Sequence, residues 1–143
     1  MTQPNVWYIK IYMNDKKFPS MEQKTLEKKS IGIGYNIHID MKQSTRGGID
    51  CYMDSLNKTS KQKKFIYNTF DKFVNQMKIG DTVYLCKGEY DILYKAIISS
   101  DYYFDSQEEH IDFDFWTHKR DITNIRPYKI KSTKRRIQTL YKE

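Results

Sequence analysis

The feature that most constrains the fold is an amphipathic stretch in the middle of the chain, from Lys61 to Ile79. Apolar side chains recur there at helical spacing and form one stripe: Phe65, Ile66, Phe70, Phe73, Val74 and Met77. Gly80 follows directly and is suited to end a helix in the left-handed conformation. The sequence therefore predicts a helix over 61–79 whose phenylalanines pack into the core.

Short segments with alternating apolar residues surround this helix and are typical of strands. The predicted strands are Val6–Met13, Ser30–Tyr35, Thr82–Cys86, Ile92–Ser99, Asp121–Ile125 and Tyr128–Ile130. In the first strand Trp7 falls on the apolar face, so we expect it in the core. A second, shorter helix is expected after Pro19, with Ser20 as its cap. Residues 42–60 are polar and contain two adjacent glycines, which favours a mobile loop.

These segments predict an α+β fold with a small, curled mixed β-sheet or barrel, flanked by two or three helices. At 143 residues, the chain is expected to form one domain. We place that domain at residues 1–130 and interpret residues 131–143 as a basic C-terminal extension or linker.

Positive charge is unevenly distributed along the chain, whose formal net charge is +7. Residues 126–143 hold seven Lys or Arg and one Glu, which favours binding to a polyanion or, equally, a solvated terminal segment. A second basic region lies at residues 42–64, where two aspartates accompany Lys42, Arg46, Lys58, Lys61, Lys63 and Lys64. Residues 101–114 hold six acidic residues and no Lys or Arg, so we expect them to face away from phosphates.

The sequence contains no arrangement typical of an enzyme. The glycine-spaced segment at 31–34 lacks the further glycine or the Lys-Ser/Thr of a phosphate loop. Neither the three histidines nor Cys51 and Cys86 have the spacing of a metal site, and we expect no metal and no cofactor. The two isolated thiols and the lack of a long apolar run favour a cytoplasmic protein without a membrane partner.

A binding function is indicated by Trp116, which one residue separates from His118, Lys119 and Arg120. An aromatic face next to cations suits a nucleobase on an anionic backbone. A tryptophan in a small domain is more often part of the core, but two neighbouring cations argue against burial of this segment. We therefore expect His118, Lys119 and Arg120 to bind phosphate.

Five segments in this order resemble the PUA-like superfamily, in particular its EVE and YTH branches: VWYIKIY, SIGIGY, FVNQMKIGDTVYL, ILYKAIISSDYYF and FWTHKRDITNI. The resemblance implies a non-catalytic module that holds a flipped, modified base in an aromatic cage. It places Tyr35 and Trp116 in that cage, although the family often has tryptophan at the first position. Contacts to the base edge are then expected from Asn14, Asp15, Gly34 and Asn36.

The phosphates are expected to contact His118, Lys119 and Arg120, together with Lys61, Lys63 and Lys64. The resemblance favours methylated DNA as the ligand and a restriction or defence system as the setting, with a nuclease or NTPase domain or subunit as partner. Two other members of the superfamily supply alternatives: a YTH-like reader of methylated adenine in RNA and an ASCH-like small RNA-processing enzyme. A protein-interaction module with a basic tail is a further alternative, which predicts salt-sensitive binding without base preference.

Overall fold

A computed structural model describes residues 4–11, 18–34, 37, 39–87, 91–105, 115–131 and 140–142, and residues 18–21, 115, 116, 131 and 141 by their backbone alone. The elements in chain order are β1 (Val6–Lys10), α1 (Phe18–Lys28), β2 (Ser30–Gly34), α2 (Arg46–Ser55), α3 (Ser60–Phe70), a π-helical turn (Asp71–Gln76), β3 (Thr82–Lys87), β4 (Asp91–Ile98), β5 (Tyr103–Phe104), β6 (Phe115–Lys131) and β7 (Leu140–Lys142). The predicted α+β class, with a curled mixed sheet and three helices among the described residues, is confirmed.

The chain divides into two compact units, which we call the first unit (residues 1–31, 77–101 and 120–143) and the second unit (residues 32–76 and 102–119). The strand order is β2-β6-β4-β3-β1-β7, with β5 paired to β6. Strand β1 is parallel to β3, whereas β3–β4, β4–β6 and β1–β7 are antiparallel. The sheet is therefore mixed.

Alternation of side chains along β1 and β3 builds the core of the first unit. Trp7 and Ile9 on β1 pair in register with Val83 and Leu85 on β3, and all four side chains are buried. A hydrogen bond joins helix α1 to β4: the Tyr94 hydroxyl on β4 donates to the Glu22 carboxylate on α1 at 2.8 Å. The prediction that Trp7 lies in the core is confirmed.

The second unit is built around α3 and the turn that follows it. Ile66, Phe70 and Phe73 are buried, as the apolar stripe predicted. The α-helix ends at Phe70, however, and a π-helical turn continues to Gln76, which changes the phase of the stripe. Phe65 was predicted to be buried but is 49% exposed.

Residues 42–60, predicted to be a loop, contain helix α2, so that prediction is wrong. The Thr45 side chain accepts a 3.1 Å hydrogen bond from the Gly48 backbone N–H and caps the helix. The two glycines lie in the first turn, where their flexibility is tolerated. Ile49 and Met53, spaced by about one turn, are buried.

Further differences from the sequence predictions are found at α1, β5, β6 and β7. Helix α1 begins at Phe18, before the predicted cap Ser20. The two short strands expected around Pro127 form one strand, β6, with register shifts opposite β4 that accommodate the proline. Residues 103–104 form the short strand β5. Residues 140–142, in the expected extension, form β7 and pair with β1.

The left-handed turn predicted at Gly80 is confirmed, since its φ is +95°. Its backbone N–H donates to the carbonyl of Ile98, which joins the turn before β3 to the end of β4. None of the helices in the described ranges is long and apolar enough to cross a membrane.

The two cysteines differ in burial, and we expect them to differ in reactivity. Cys51 is exposed, whereas Cys86 is buried, and burial raises the pKa of its thiol to about 12. Because the thiolate is the reacting species, a thiol reagent at about pH 8 should modify one cysteine in the folded protein and both in denaturant. A thiol titration with and without urea measures this. Modification of both thiols at equal rates in the folded protein would contradict it.

Candidate nucleic-acid interface

The second unit contains an open cleft of about 880 Å³ between α2 and α3. Four cationic side chains and two carboxylates line it: Lys42, Arg46, Lys63, Lys64, Asp50 and Asp71. The lining also includes the side-chain amides of Asn68 and Asn75 and the ring of Tyr67. The cleft is therefore polar, with an excess of positive charge.

Caps at the start of both helices fix the walls of this cleft. Thr59 and Gln62 form a capping box at the start of α3: each side chain bonds the other's backbone N–H. The short connection from α2 is closed by Asn57, whose φ of +60° permits the turn. Both helices therefore begin at defined residues. Arg46 and Lys63 lie in the first turns, and Lys64 directly follows Lys63.

Tyr67 joins the two walls of the cleft. Its hydroxyl lies 3.0 Å from Asp50 Oδ1 and 3.1 Å from the Arg46 carbonyl oxygen, so α3 is hydrogen-bonded to α2. Burial, reinforced by the bond to Asp50, raises the pKa of Tyr67, and the hydroxyl remains a proton donor. The Arg46 guanidinium carbon lies 3.9 Å from the centre of the tyrosine ring. This is a cation–π contact that orients the arginine.

Both carboxylates of the cleft have donors from the protein. The Tyr67 hydroxyl donates to Asp50, whereas the side-chain amides of Asn75 and Gln76 donate to Asp71 at 2.9 and 2.7 Å. These two amides lower the pKa of Asp71. Lys63 forms an ion pair with Asp54, a residue that does not line the cleft. The excess positive charge consequently comes from Lys42, Arg46 and Lys64, all of them exposed.

The structure buries His118, which was predicted to contact phosphate. Its side chain is fully enclosed, with Nδ1 2.8 Å from the Tyr102 hydroxyl and Nε2 bonded to the Ile37 carbonyl oxygen. Because a carbonyl only accepts, Nε2 carries the hydrogen, and Nδ1 accepts from Tyr102. The tyrosine oxygen in turn accepts from Met41 N–H at 3.1 Å. A neutral imidazole satisfies every group in this chain, and the phenyl ring of Phe70 packs on it edge-on at 4.6 Å.

Lys119 and Arg120 are buried too, at 4% and 2% exposure, so the expectation that these cations keep the segment at the surface is wrong. In the second unit the Lys119 ammonium pairs with Asp105 at 2.9 Å. In the first unit the Arg120 guanidinium donates to the Ser100 carbonyl at 3.0 Å, and burial lowers its pKa. Partners inside the protein compensate these charges, so neither side chain is presented to a phosphate in this structure.

The remaining phosphate candidates lie on the surface of the second unit. Lys63 and Lys64 line the cleft, and Lys61 is exposed in the first turn of α3. Sequence reasoning did not identify Arg46, Tyr67 or Asn68 as site residues. Arg46 belongs to the basic region noted at 42–64, but its contact with Tyr67 joins residues 21 positions apart and leaves no local pattern.

Most of the candidate base-binding residues lie outside the described residues: Asn14, Asp15, Tyr35 and Asn36. Gly34 is the last residue of β2, and Trp116 lies near the start of β6, where the structure describes only its backbone. Strands β2 and β6 are neighbours in the sheet.

The direction of these two strands follows from contacts before and after β2. Lys29, before β2, accepts a hydrogen bond from the Ile122 N–H, whereas Ile37, after β2, accepts one from His118. Moving forward along β2 therefore corresponds to moving backward along β6. The two strands are antiparallel, and the end of β2 lies beside the start of β6.

Fold and cleft together define an α+β protein whose second unit carries a cationic cleft. The chain belongs to the family described as Domain of unknown function (DUF8426), whose model matches residues 7–142. Neither the curated proteins nor the solved structures include a match to the chain.

Proposed function

We propose that this protein is a non-catalytic nucleic-acid-binding module that reads a modified, methylated base in DNA. In this proposal the base is flipped between Tyr35 and Trp116, as the resemblance to the EVE and YTH branches of the PUA-like superfamily implies. Asn14, Asp15, Gly34 and Asn36 supply contacts to the base edge. A nuclease or NTPase domain or subunit would use the module for targeting.

One observation carries this proposal: the antiparallel pairing of β2 and β6. Tyr35 directly follows the last residue of β2, and Trp116 is the second residue of β6. These two aromatic residues are 81 positions apart in the sequence. Because the end of β2 lies beside the start of β6, their neighbours in the chain are nevertheless close together. This supports a site with one aromatic wall from each segment.

The energetics of such a site are balanced. Flipping a paired base out of its stack costs a few kcal/mol. Stacking on an aromatic side chain returns roughly 1–3 kcal/mol per base, so two walls offset the extrusion. A methyl group adds apolar area that favours the pocket over water. Polar contacts at the base edge then have to provide the discrimination between bases, because stacking tolerates all of them.

The phosphates next to the flipped base need exposed cations. Since His118, Lys119 and Arg120 are buried, the proposal assigns this role to the exposed Lys61 and Lys64 and to Lys63, which is half-buried and paired with Asp54. These three side chains and the cleft belong to the same unit as the end of β2 and the start of β6.

The proposal predicts that Trp116→Ala removes a preference for methylated DNA. Wild type should bind a duplex with methylated bases about fivefold more tightly than the unmodified duplex, since one buried methyl group contributes roughly 1 kcal/mol. The variant should lose about tenfold in affinity for the methylated duplex, because one stacking wall is missing. Fluorescence anisotropy with labelled duplexes measures both affinities.

Trp116→Phe is the matched variant, because it keeps an aromatic face and should retain most of the preference. Thermal unfolding of each variant shows that the protein is folded. Equal affinity of wild type for the two duplexes would refute modification reading. Competition with methylated RNA of equal length tests the choice of DNA, and stronger binding of the RNA would replace DNA by RNA as the ligand.

A further inference from the structure

We propose that the cleft between α2 and α3 is a phosphate-ester site in which Arg46, held by Tyr67, binds the phosphate directly together with Lys42 and Lys64. The ligand chemistry is that of a nucleotide: a phosphodiester in a nucleic-acid strand or the phosphate of a free nucleotide. The inference rests on the proposed function only for its choice of nucleic acid as the natural source of that phosphate.

The charge of the cleft favours an anion. Lys42, Arg46 and Lys64 form no ion pair with any residue that the structure describes, and all are exposed at the cleft. Asp50 and Asp71 are already bonded by Tyr67 and by the amides of Asn75 and Gln76. The two carboxylates therefore do not hold the cations of the cleft, and an incoming phosphate does not have to displace an internal ion pair.

Arg46 has the geometry that phosphate recognition requires. Its guanidinium carbon lies over the Tyr67 ring, 3.9 Å from the ring centre. A guanidinium has five N–H donors, so one that contacts a ring still has donors for a bidentate contact to phosphate. Because Tyr67 is itself bonded to Asp50, the platform under the arginine is fixed before the ligand arrives. Less side-chain entropy is lost on binding as a result.

The size and remaining lining of the cleft favour an ester over inorganic phosphate. A volume of about 880 Å³ is in the range of sites that bind whole small molecules and is far larger than one phosphate group. Asn68, Asn75 and Ser60 offer neutral donors and acceptors at the same cleft. Such groups suit the sugar and base of a nucleotide, whereas the cations suit its phosphate.

The experiment compares three unmodified probes with the full-length chain: a short single-stranded DNA of mixed sequence, adenosine monophosphate and inorganic phosphate. Affinities are measured by isothermal titration calorimetry at several salt concentrations. At least one phosphate ester should bind about tenfold or more tightly than inorganic phosphate, and the tighter ester identifies the source. Equal binding of all three, or no binding of any ester, would overturn the proposal.

Arg46→Gln is the decisive variant, because it removes both the positive charge and the pair of N–H donors that can contact one phosphate bidentately. For the ester that binds, affinity should fall about tenfold, and for the DNA strand the slope of log affinity against log salt should become shallower by about one. Lys28→Gln removes an equal charge from the exposed end of α1 and should change affinity by less than about twofold. Equal effects of the two variants would overturn the assignment to the cleft.

Two substitutions at Tyr67 separate its positioning role from general stability. Tyr67→Phe keeps the ring under the guanidinium and should retain affinity within about threefold, whereas Tyr67→Leu removes the cation–π contact and should resemble Arg46→Gln. Thermal unfolding confirms that both variants are folded, and equal affinities of the two would contradict the platform role. The proposed function and the phosphate-ester site can be refuted independently. A wild type without methyl preference would leave the results for Arg46 and Tyr67 unchanged. Unchanged binding by Arg46→Gln would leave the methyl preference intact.

Discussion

Replacing Asp81 by alanine is expected to lower the free energy of unfolding by about 4 kcal/mol, a large part of the stability of a domain of this size. The Asp81 carboxylate is 3% exposed and accepts three hydrogen bonds. They come from the Trp7 indole nitrogen at 2.9 Å, the Asn5 backbone nitrogen at 3.0 Å and the Lys78 backbone nitrogen at 2.9 Å. One side chain thus joins the start of β1 to the turn before β3.

Most of this loss should come from donors left without an acceptor. The Trp7 side chain is fully buried, so its N–H cannot turn to water when the carboxylate is removed. Asp81→Asn keeps one acceptor oxygen but sets an amide N–H against the remaining donors, and we expect about half the loss. Urea unfolding followed by tryptophan fluorescence measures both variants.

Asp54→Ala is the matched control, since this carboxylate is exposed on α2 and bonds only a surface lysine among the described residues. Its removal should change the free energy of unfolding by less than about 1 kcal/mol. A loss below about 1 kcal/mol for Asp81→Ala would show that the hydrogen bonds to Asp81 contribute little to stability.

The surroundings of Asp81 were predictable from the sequence only in part. The sequence placed Trp7 in the core and a turn at Gly80, and both predictions are confirmed, because each follows from a local pattern. That the residue after the glycine supplies the acceptor for the indole depends on a contact 74 positions apart. Periodicity specifies which face of a strand is buried, but it does not specify which distant polar group meets it.

Helix α2 was missed for a different reason. Its sequence is polar and has two glycines in its first turn, and those features outweighed two signals that were present. Thr45 is a good cap, and the apolar pair Ile49 and Met53 has the spacing of one helical turn. A helix held by two buried side chains and a cap gives a weak pattern, and its stability comes from packing in the second unit.

The candidate cleft was predicted only in part. Lys63 and Lys64 line the cleft, and the density of positive charge in residues 42–64 was a sufficient signal for them. The prediction that Lys119 is exposed was wrong, because a carboxylate from elsewhere in the chain compensates the cost of burying its charge. Here that carboxylate is Asp105, in a segment predicted to face away from phosphates because it is acidic.

The second large effect is expected at His118. Replacing it by alanine should lower the free energy of unfolding by about 3 kcal/mol, because the substitution empties a fully buried site and breaks the bonds to Tyr102 and Ile37. Burial raises the pKa of the Tyr102 hydroxyl, so that group stays protonated and is left as a donor without its acceptor. His118→Gln can still donate to Ile37 and should be less destabilised. Thermal and urea unfolding measure the order of stability, which should be wild type, then His118→Gln, then His118→Ala.

This substitution also decides between the two roles considered for the imidazole. A side chain that touches phosphate contributes to the salt dependence of nucleic-acid binding when it is charged, and its loss makes the slope shallower by up to about one. A buried, neutral imidazole contributes nothing to that slope. At a temperature where the variant is folded, His118→Ala should therefore bind DNA with the salt slope of the wild type, even if the affinity changes because Ile37 and Met41 are less well held. A shallower slope at about pH 6, with stability unchanged, would instead place His118 against the ligand.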